Sequence, residues 1–140
     1  IWAGGNSARA IRRAVELCEG WCPFPVSGIV AQTTRTQELS SIDQLRDRVH
    51  YAREQCQRVG RTAPLDICIS SFRSGTMKPD ARADTAQLLD EYAALAEAGV
   101  TWTTVSVPSP SRAAFIENVQ WLGEEVVSKL PRQPRASRSQ

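Results

Sequence analysis

The 140 residues carry 41% apolar and 23% charged side chains, the balance of a globular chain with enough mass to bury a core. Net charge is +2, and Arg132, Arg135 and Arg138 supply three positives near the end, so the body has no basic face for nucleic acid. No apolar run approaches the roughly 20 residues of a membrane span, and the four cysteines have neither paired metal spacing nor the density of a disulfide scaffold.

Ile1-Trp2-Ala3 reads as a strand end that runs into Gly4-Gly5-Asn6-Ser7 and then directly into a helix over Ala8 to Cys18. Glycines allow a sharp turn and a close approach to the backbone. Asn6 or Ser7 can cap the helix, whose first amides lack intrahelical partners and form an anion seat. An ordinary capped turn explains the same letters. Ile11, Ala14, Val15 and Cys18 fall on one helical face. Arg9, Arg12 and Arg13 sit in the first two turns, where the dipole disfavours cations. A bound anion would offset that, and a solvated face accounts for Arg12 and Arg13 equally well.

Trp21 to Phe24 reads as a short strand ended by Pro23 and Pro25, followed by a loop over Val26 to Thr36 that could hold a short strand or a lid. Ser41 and Gln44 make a capping box for a helix burying Leu45, Val49, Ala52, Cys56 and Val59 and stopping at Gly60. His50, the one histidine, falls off that stripe and is expected in solvent. Leu65 to Phe72 is the third strand, apolar as a parallel strand should be. Pro79 to Ala98 forms the third strand-helix unit's helix, with Leu88, Leu89, Tyr92, Leu95 and Ala96 inward and Gly99 as the stop. Val100 to Val107 is a fourth, alternating strand. Ser111 caps a last helix burying Phe115, Val119, Leu122 and Val126. Residues 131–140 form a disordered polar tail.

Strand and helix thus alternate four times within residues 1–130, which predicts a parallel α/β sheet; four units are half of a (β/α)8 barrel. The chain opens inside a strand pattern without an initiator Met or signal peptide, the expectation for a fragment. Cys56 and Cys68 fall on buried positions. Cys18 and Cys22 flank the Gly20 turn and could pair, although a reducing cytosol favours free thiols. Asp43, Asp47, Asp80 and Asp84 lie at helix starts and serve the dipole. No nucleophile-base-acid set, metalloprotease motif or P-loop is present, and no metal site is expected. Such poverty suits a cofactor enzyme, in which the protein supplies position and electrostatics.

The combination of Trp2-Ala3-Gly4-Gly5-Asn6-Ser7, Arg12-Arg13-Ala14 and Glu19-Gly20-Trp21-Cys22-Pro23-Phe24 resembles the luciferase-like monooxygenase family. More narrowly, it resembles the branch using the deazaflavin coenzyme F-420, with Glu19 where Asp is usual. Leu89-Asp90-Glu91-Tyr92-Ala93, Ala98-Gly99-Val100-Thr101 and Asn118-Val119-Gln120-Trp121 agree with it. The resemblance implies the C-terminal half of a TIM-type barrel. It implies a cytoplasmic oxidoreductase that transfers a hydride through F-420, or activates oxygen on reduced FMN, at a small organic substrate.

By that resemblance Ala3, Gly4, Gly5, Asn6 and Ser7 would hold the cofactor's phosphate-bearing tail, and Cys22 and Phe24 would line the same channel. Phe72, Arg73, Ser106 and Arg112 would face substrate; a solvated loop cation and a helix-start residue are the plain alternatives for Arg73 and Arg112. The four tryptophans read as core or wall. No catalytic acid or base can be named, because the resemblance implies that the family's chemistry also draws on the absent first half. A non-enzymatic half-barrel that pairs with a second copy through its open strand edges, or an inactive remnant, is the competing expectation.

Overall fold

The computed structural model describes residues 1–73, 85–107 and 109–131. Strand β1 (Trp2–Gly4) leads to α1 (Ala8–Leu17), and β2 (Gly20–Cys22) to α2 (Gly28–Thr33) and α3 (Ile42–Arg58). Strand β3 (Asp66–Ser70) leads to α4 (Thr85–Ala98), and β4 (Trp102–Thr104) to α5 (Arg112–Trp121). A π-helical turn, Leu122–Val126, and a 3-10 turn, Val127–Lys129, continue α5. The strands lie in the order β1-β2-β3-β4 and every pair is parallel. Each crossover therefore steps one strand in the same direction, and right-handed steps of that kind set the helices on one face.

In the register, Ala3 pairs with Trp21 and Trp21 with Ile67, so these residues share a face. That face meets Ile11, Ala14 and Val15 of α1, Leu45, Val49 and Ala52 of α3, and Leu88, Tyr92 and Leu95 of α4 in one core. Arg61 closes the end of α1 from a distance, donating to the carbonyls of Val15 at 2.8 Å and Cys18 at 2.7 Å, where the dipole favours a cation. Arg12 donates to the Tyr51 hydroxyl at 2.9 Å and ties α1 to α3.

The opposite face carries Trp2, Gly4, Gly20, Cys22, Asp66, Cys68 and Trp102, by the same register. Trp2 and Trp102 remain 37% and 45% exposed there. Their rings meet at 5.9 Å between centroids. Trp2 lies so close over Gly20 that a Cβ there would fall 2.7 Å from the indole.

Several expectations need correction. The loop over Val26 to Thr36 contains α2, and Val26 bridges Leu39 in antiparallel fashion, so the segment folds back on itself. Ser41 caps α3 through the Gln44 amide at 3.2 Å, but the Gln44 side chain returns to the Ser40 amide at 2.8 Å, one residue earlier than a capping box requires. Val59 is 44% exposed, because it falls in the last residues before Gly60; Gln55 takes the buried place on that stripe, and Cys56 is half-buried.

Leu89 and Ala96 are half-buried at the edge of the α4 stripe, and Cys18 likewise at the end of α1. β4 shortens to three residues, all exposed, since it is an edge strand. Phe115 and Val119 are exposed, not buried: α5 has no buried residue and meets the core through Trp121 at its end and through Leu122 and Val126 beyond it. Ser74, Gly75, the helix start at Pro79 with Asp80 and Asp84, Pro108 and the tail from 132 lie outside the described residues.

This asymmetry has a measurable consequence. Leu45→Ala, at a fully buried position, is expected to lower unfolding free energy by about 2–5 kcal/mol. Phe115→Ala, on α5, is expected to change it by under about 0.5 kcal/mol. Urea denaturation of the two variants checks the contrast.

Candidate functional site

Parallel strands bring all four carboxyl ends to one edge of the sheet, where Gly4, Cys22, Ser70 and Thr104 terminate β1 to β4. The β1 loop is built around Gly5, whose φ of +112° is open to glycine and strained for other residues. Its amide donates to the Cys22 carbonyl at 3.4 Å, and its carbonyl accepts from the Trp21 indole at 2.8 Å. Gly4 needs no unusual backbone, and a Cβ there would have nothing nearer than the Cys22 carbonyl at 3.7 Å. Ser7, not Asn6, caps α1: its Oγ accepts from the Ala10 amide at 3.2 Å.

Asn6 has a different task. It is fully buried, and its Nδ2 donates to the carbonyls of Phe24 at 2.9 Å and Gln37 at 3.0 Å. Its Oδ1 accepts from the Phe24 amide at 3.0 Å, and its own amide donates to Thr36 Oγ1 at 3.2 Å. The Arg48 guanidinium of α3 donates to the Asn6 carbonyl, to Gln37 Oε1 at 2.6 Å and to the Glu38 carbonyl at 2.7 Å. Burial lowers the Arg48 pKa, and Asp47 partly offsets this. The loop after β1 is thus pinned to the loop after β2 and to α3. Asn6 has no side-chain donor left for a ligand, so it takes no direct side-chain part in an anion seat.

Ala3, Gly4, Gly5, Asn6, Ser7, Cys22 and Phe24 therefore come together as one cluster. Phe72 and Arg73 fall in another, an open groove of about 530 Å³ shared with Ser40, Ser41, Ile42, Gln87, Asp90 and Glu91. Glu91 is buried on α4; its carboxylate accepts from Ser71 Oγ at 2.6 Å and from the Phe72 amide at 2.7 Å, which fixes the turn that presents Phe72 and Arg73. The Arg73 amide donates to Ser71 Oγ at 3.0 Å, and its guanidinium to Gln87. Ser106 and Arg112 are exposed beyond β4 and line neither this groove nor the first cluster. His50 is exposed and pairs with Glu54 on the same helix.

Sequence reasoning passed over Asn6 as a pin, Arg48 and Glu91. The last two carried a signal: Arg48 lies between Leu45 and Ala52, and Glu91 between Leu88 and Leu95, at helical spacing on buried stripes. A charge on an apolar stripe marks a paired group.

No protein-family model matches the sequence, and no curated protein matches it. Among solved structures the chain is similar to the coenzyme F-420-dependent tetrahydromethanopterin reductase from Methanopyrus kandleri. The match has 13% identity and a TM-score of 0.61, covering 91% of this chain and 50% of the reductase chain. The likeness is one of fold, and this chain spans half the length of that reductase. Among the described residues no helix is long and apolar enough to cross a membrane.

The pin predicts a specific loss. Asn6→Ala leaves the Phe24 amide and the Phe24 and Gln37 carbonyls without their partner. We expect about 2–4 kcal/mol of destabilisation, read from the shift in denaturant midpoint. Asn6→Asp keeps the acceptor but sets a buried carboxylate oxygen against the Phe24 and Gln37 carbonyls, and should destabilise at least as much as alanine.

Proposed function

We propose that this chain is the C-terminal half of a luciferase-like oxidoreductase of the cytoplasm that uses coenzyme F-420, with FMN as the alternative, on a small organic substrate. The observation that carries the reading is the Gly4–Ser7 loop, held rigid at the carboxyl edge of a fold shared with an F-420-dependent reductase. The missing partner is a first half-barrel, which would meet β1 and β4 and complete the site.

The residues present fit such a coenzyme. Gly4 leaves bare backbone on the sheet face beside Cys22, and the first turn of α1 offers amides and a positive dipole end to a phosphate. Arg9 is exposed in that turn and can add charge. Phe24, 38% exposed, stands beside the loop as an apolar wall. The bound coenzyme supplies the hydride chemistry. This chain's residues bind and orient: Gly4, Gly5 and Ser7 hold the tail, while Phe72 and Arg73 face the substrate end from a turn fixed by Glu91. Ser106 and Arg112 retain a substrate role only if the first half folds the β4 loop inward.

Gly4→Val separates binding from folding better than Gly5→Val, because Gly4 has ordinary backbone and space for a side chain. In the complete protein it should weaken F-420 binding at least about 10-fold, since a tenfold loss needs only about 1.4 kcal/mol, with an unchanged unfolding midpoint. Undiminished binding would rule out the loop assignment. The absorbance of the cofactor that co-purifies distinguishes F-420 from FMN.

A second reading has its own support. Trp2 and Trp102 and several apolar residues of α5 are exposed, which favours self-association of two half-barrels. A monomer in sedimentation of the 140-residue chain at high concentration counts against it.

A further inference from the structure

The sheet face opposite the helical core holds a pair of thiols that the proposed coenzyme chemistry does not use as a pair. Trp21 pairs with Ile67 in parallel register, so the following residues, Cys22 and Cys68, occupy neighbouring places on one face. The row continues with Gly4 beside Cys22 and Trp102 beside Cys68. The two thiols interact with each other side chain to side chain. Cys68 is buried and Cys22 half-buried. Gly4 adds no side chain to the row, so the approach to the pair is past Gly4 and Cys22. The Trp2–Trp102 ring pair stands beside the thiols on the same face.

We propose that Cys22 and Cys68 form a two-coordinate site for a soft monovalent metal ion, Cu(I) by class. Neighbouring strands lie about 4.8 Å apart. The two thiols stand side by side on neighbouring strands and interact, so one ion can bridge them through two metal–thiolate bonds of about 2.3 Å each. Thiolate ligands select soft ions such as Cu(I). Among the described residues no group of three or more metal-ligating side chains exists, which disfavours a tetrahedral zinc site at this pair.

The proton balance gives the site a signature. Burial raises the Cys22 thiol above its ordinary range and pushes Cys68 up to about 11, with the neighbouring Cys22 and Asp66 adding to the latter. Both thiols are therefore protonated at neutral pH. Binding forms two metal–sulfur bonds and releases two protons to solvent, with no change in oxidation state. Affinity should rise about 100-fold per pH unit, against about 10-fold for one thiol.

The site does not depend on the coenzyme reading, and the titration is made without coenzyme. The complete, reduced protein is titrated anaerobically with Cu(I) against a chromophoric Cu(I) chelator between pH 6 and 8. We expect a tight site with the two-proton slope, weakened at least 100-fold by Cys22→Ser or Cys68→Ser and retained in the Cys18→Ser/Cys56→Ser double variant. Retention after either of the first two substitutions, or a one-proton slope, overturns the proposal. If either serine variant misfolds, X-ray absorption of the wild-type complex decides: two sulfur neighbours support the site, and three or more ligands refute it.

Discussion

The site depends on one buried side-chain amide. Asn6 ties two loops that are distant in sequence, with its Nδ2 and Oδ1 meeting Phe24 and Gln37 at 2.9 to 3.0 Å. A buried amide of this kind is costly unless every donor and acceptor is met. Arg48 then locks the Asn6 carbonyl from α3. Gly5 follows from the same constraint. The chain must turn sharply enough to seat Asn6 inside while Trp21 donates to the Gly5 carbonyl, and the φ of +112° is the backbone solution. The loop's rigidity is therefore built before any ligand arrives, which lowers the ordering cost of binding at its amides.

The sheet is asymmetric for a reason that lies in its topology. Four parallel strands in sequential order, joined by crossovers of one hand, place the helices on one side. All of the large core clustering occurs there. The other side holds residues that suit an interior, two tryptophans and two thiols; the tryptophan rings meet there and both stay partly exposed. β1 and β4 each keep one unpaired edge within the described sheet, and an edge of this kind is a template for further pairing.

Much of this was legible in the chain. Gly5, Ser7, Ser41, Gly60, Gly99 and Ser111 punctuate the sequence, and each helix they bound is present. The stripes of α1, α3 and α4 followed from the 3.6-residue period because those helices pack on a sheet. The same period failed for α5, whose apolar residues at 115 and 119 face solvent. Periodicity reports that a face is apolar; it does not report whether a neighbour covers it. α2 was missed because Gly28-Ile29-Val30-Ala31-Gln32-Thr33 has β-branched residues and a glycine start, and local propensity is overridden by the Val26–Leu39 bridge that closes the segment. At the site, the letters placed the loop and its cap. They could not reveal that Asn6 faces inward, since polar turn residues satisfy themselves locally as often as they bind.

The distribution of charge in the carboxyl edge decides what each cluster can do. The β1–β2 cluster brings backbone donors, a helix start and an exposed Arg9, all suited to an anion, and none of the residues assigned to it is a carboxylate. The β3 groove carries Asp90 and Glu91 beside Arg73, and the Glu91 carboxylate is already engaged by Ser71 and Phe72. A phosphate tail is therefore favoured in the first cluster and repelled by Asp90 in the second, at the short range over which exposed charges act. Glu91 cannot act freely as an acid or base while it holds the turn. Among the described residues, what the carboxyl edge offers is positions that hold and orient a ligand.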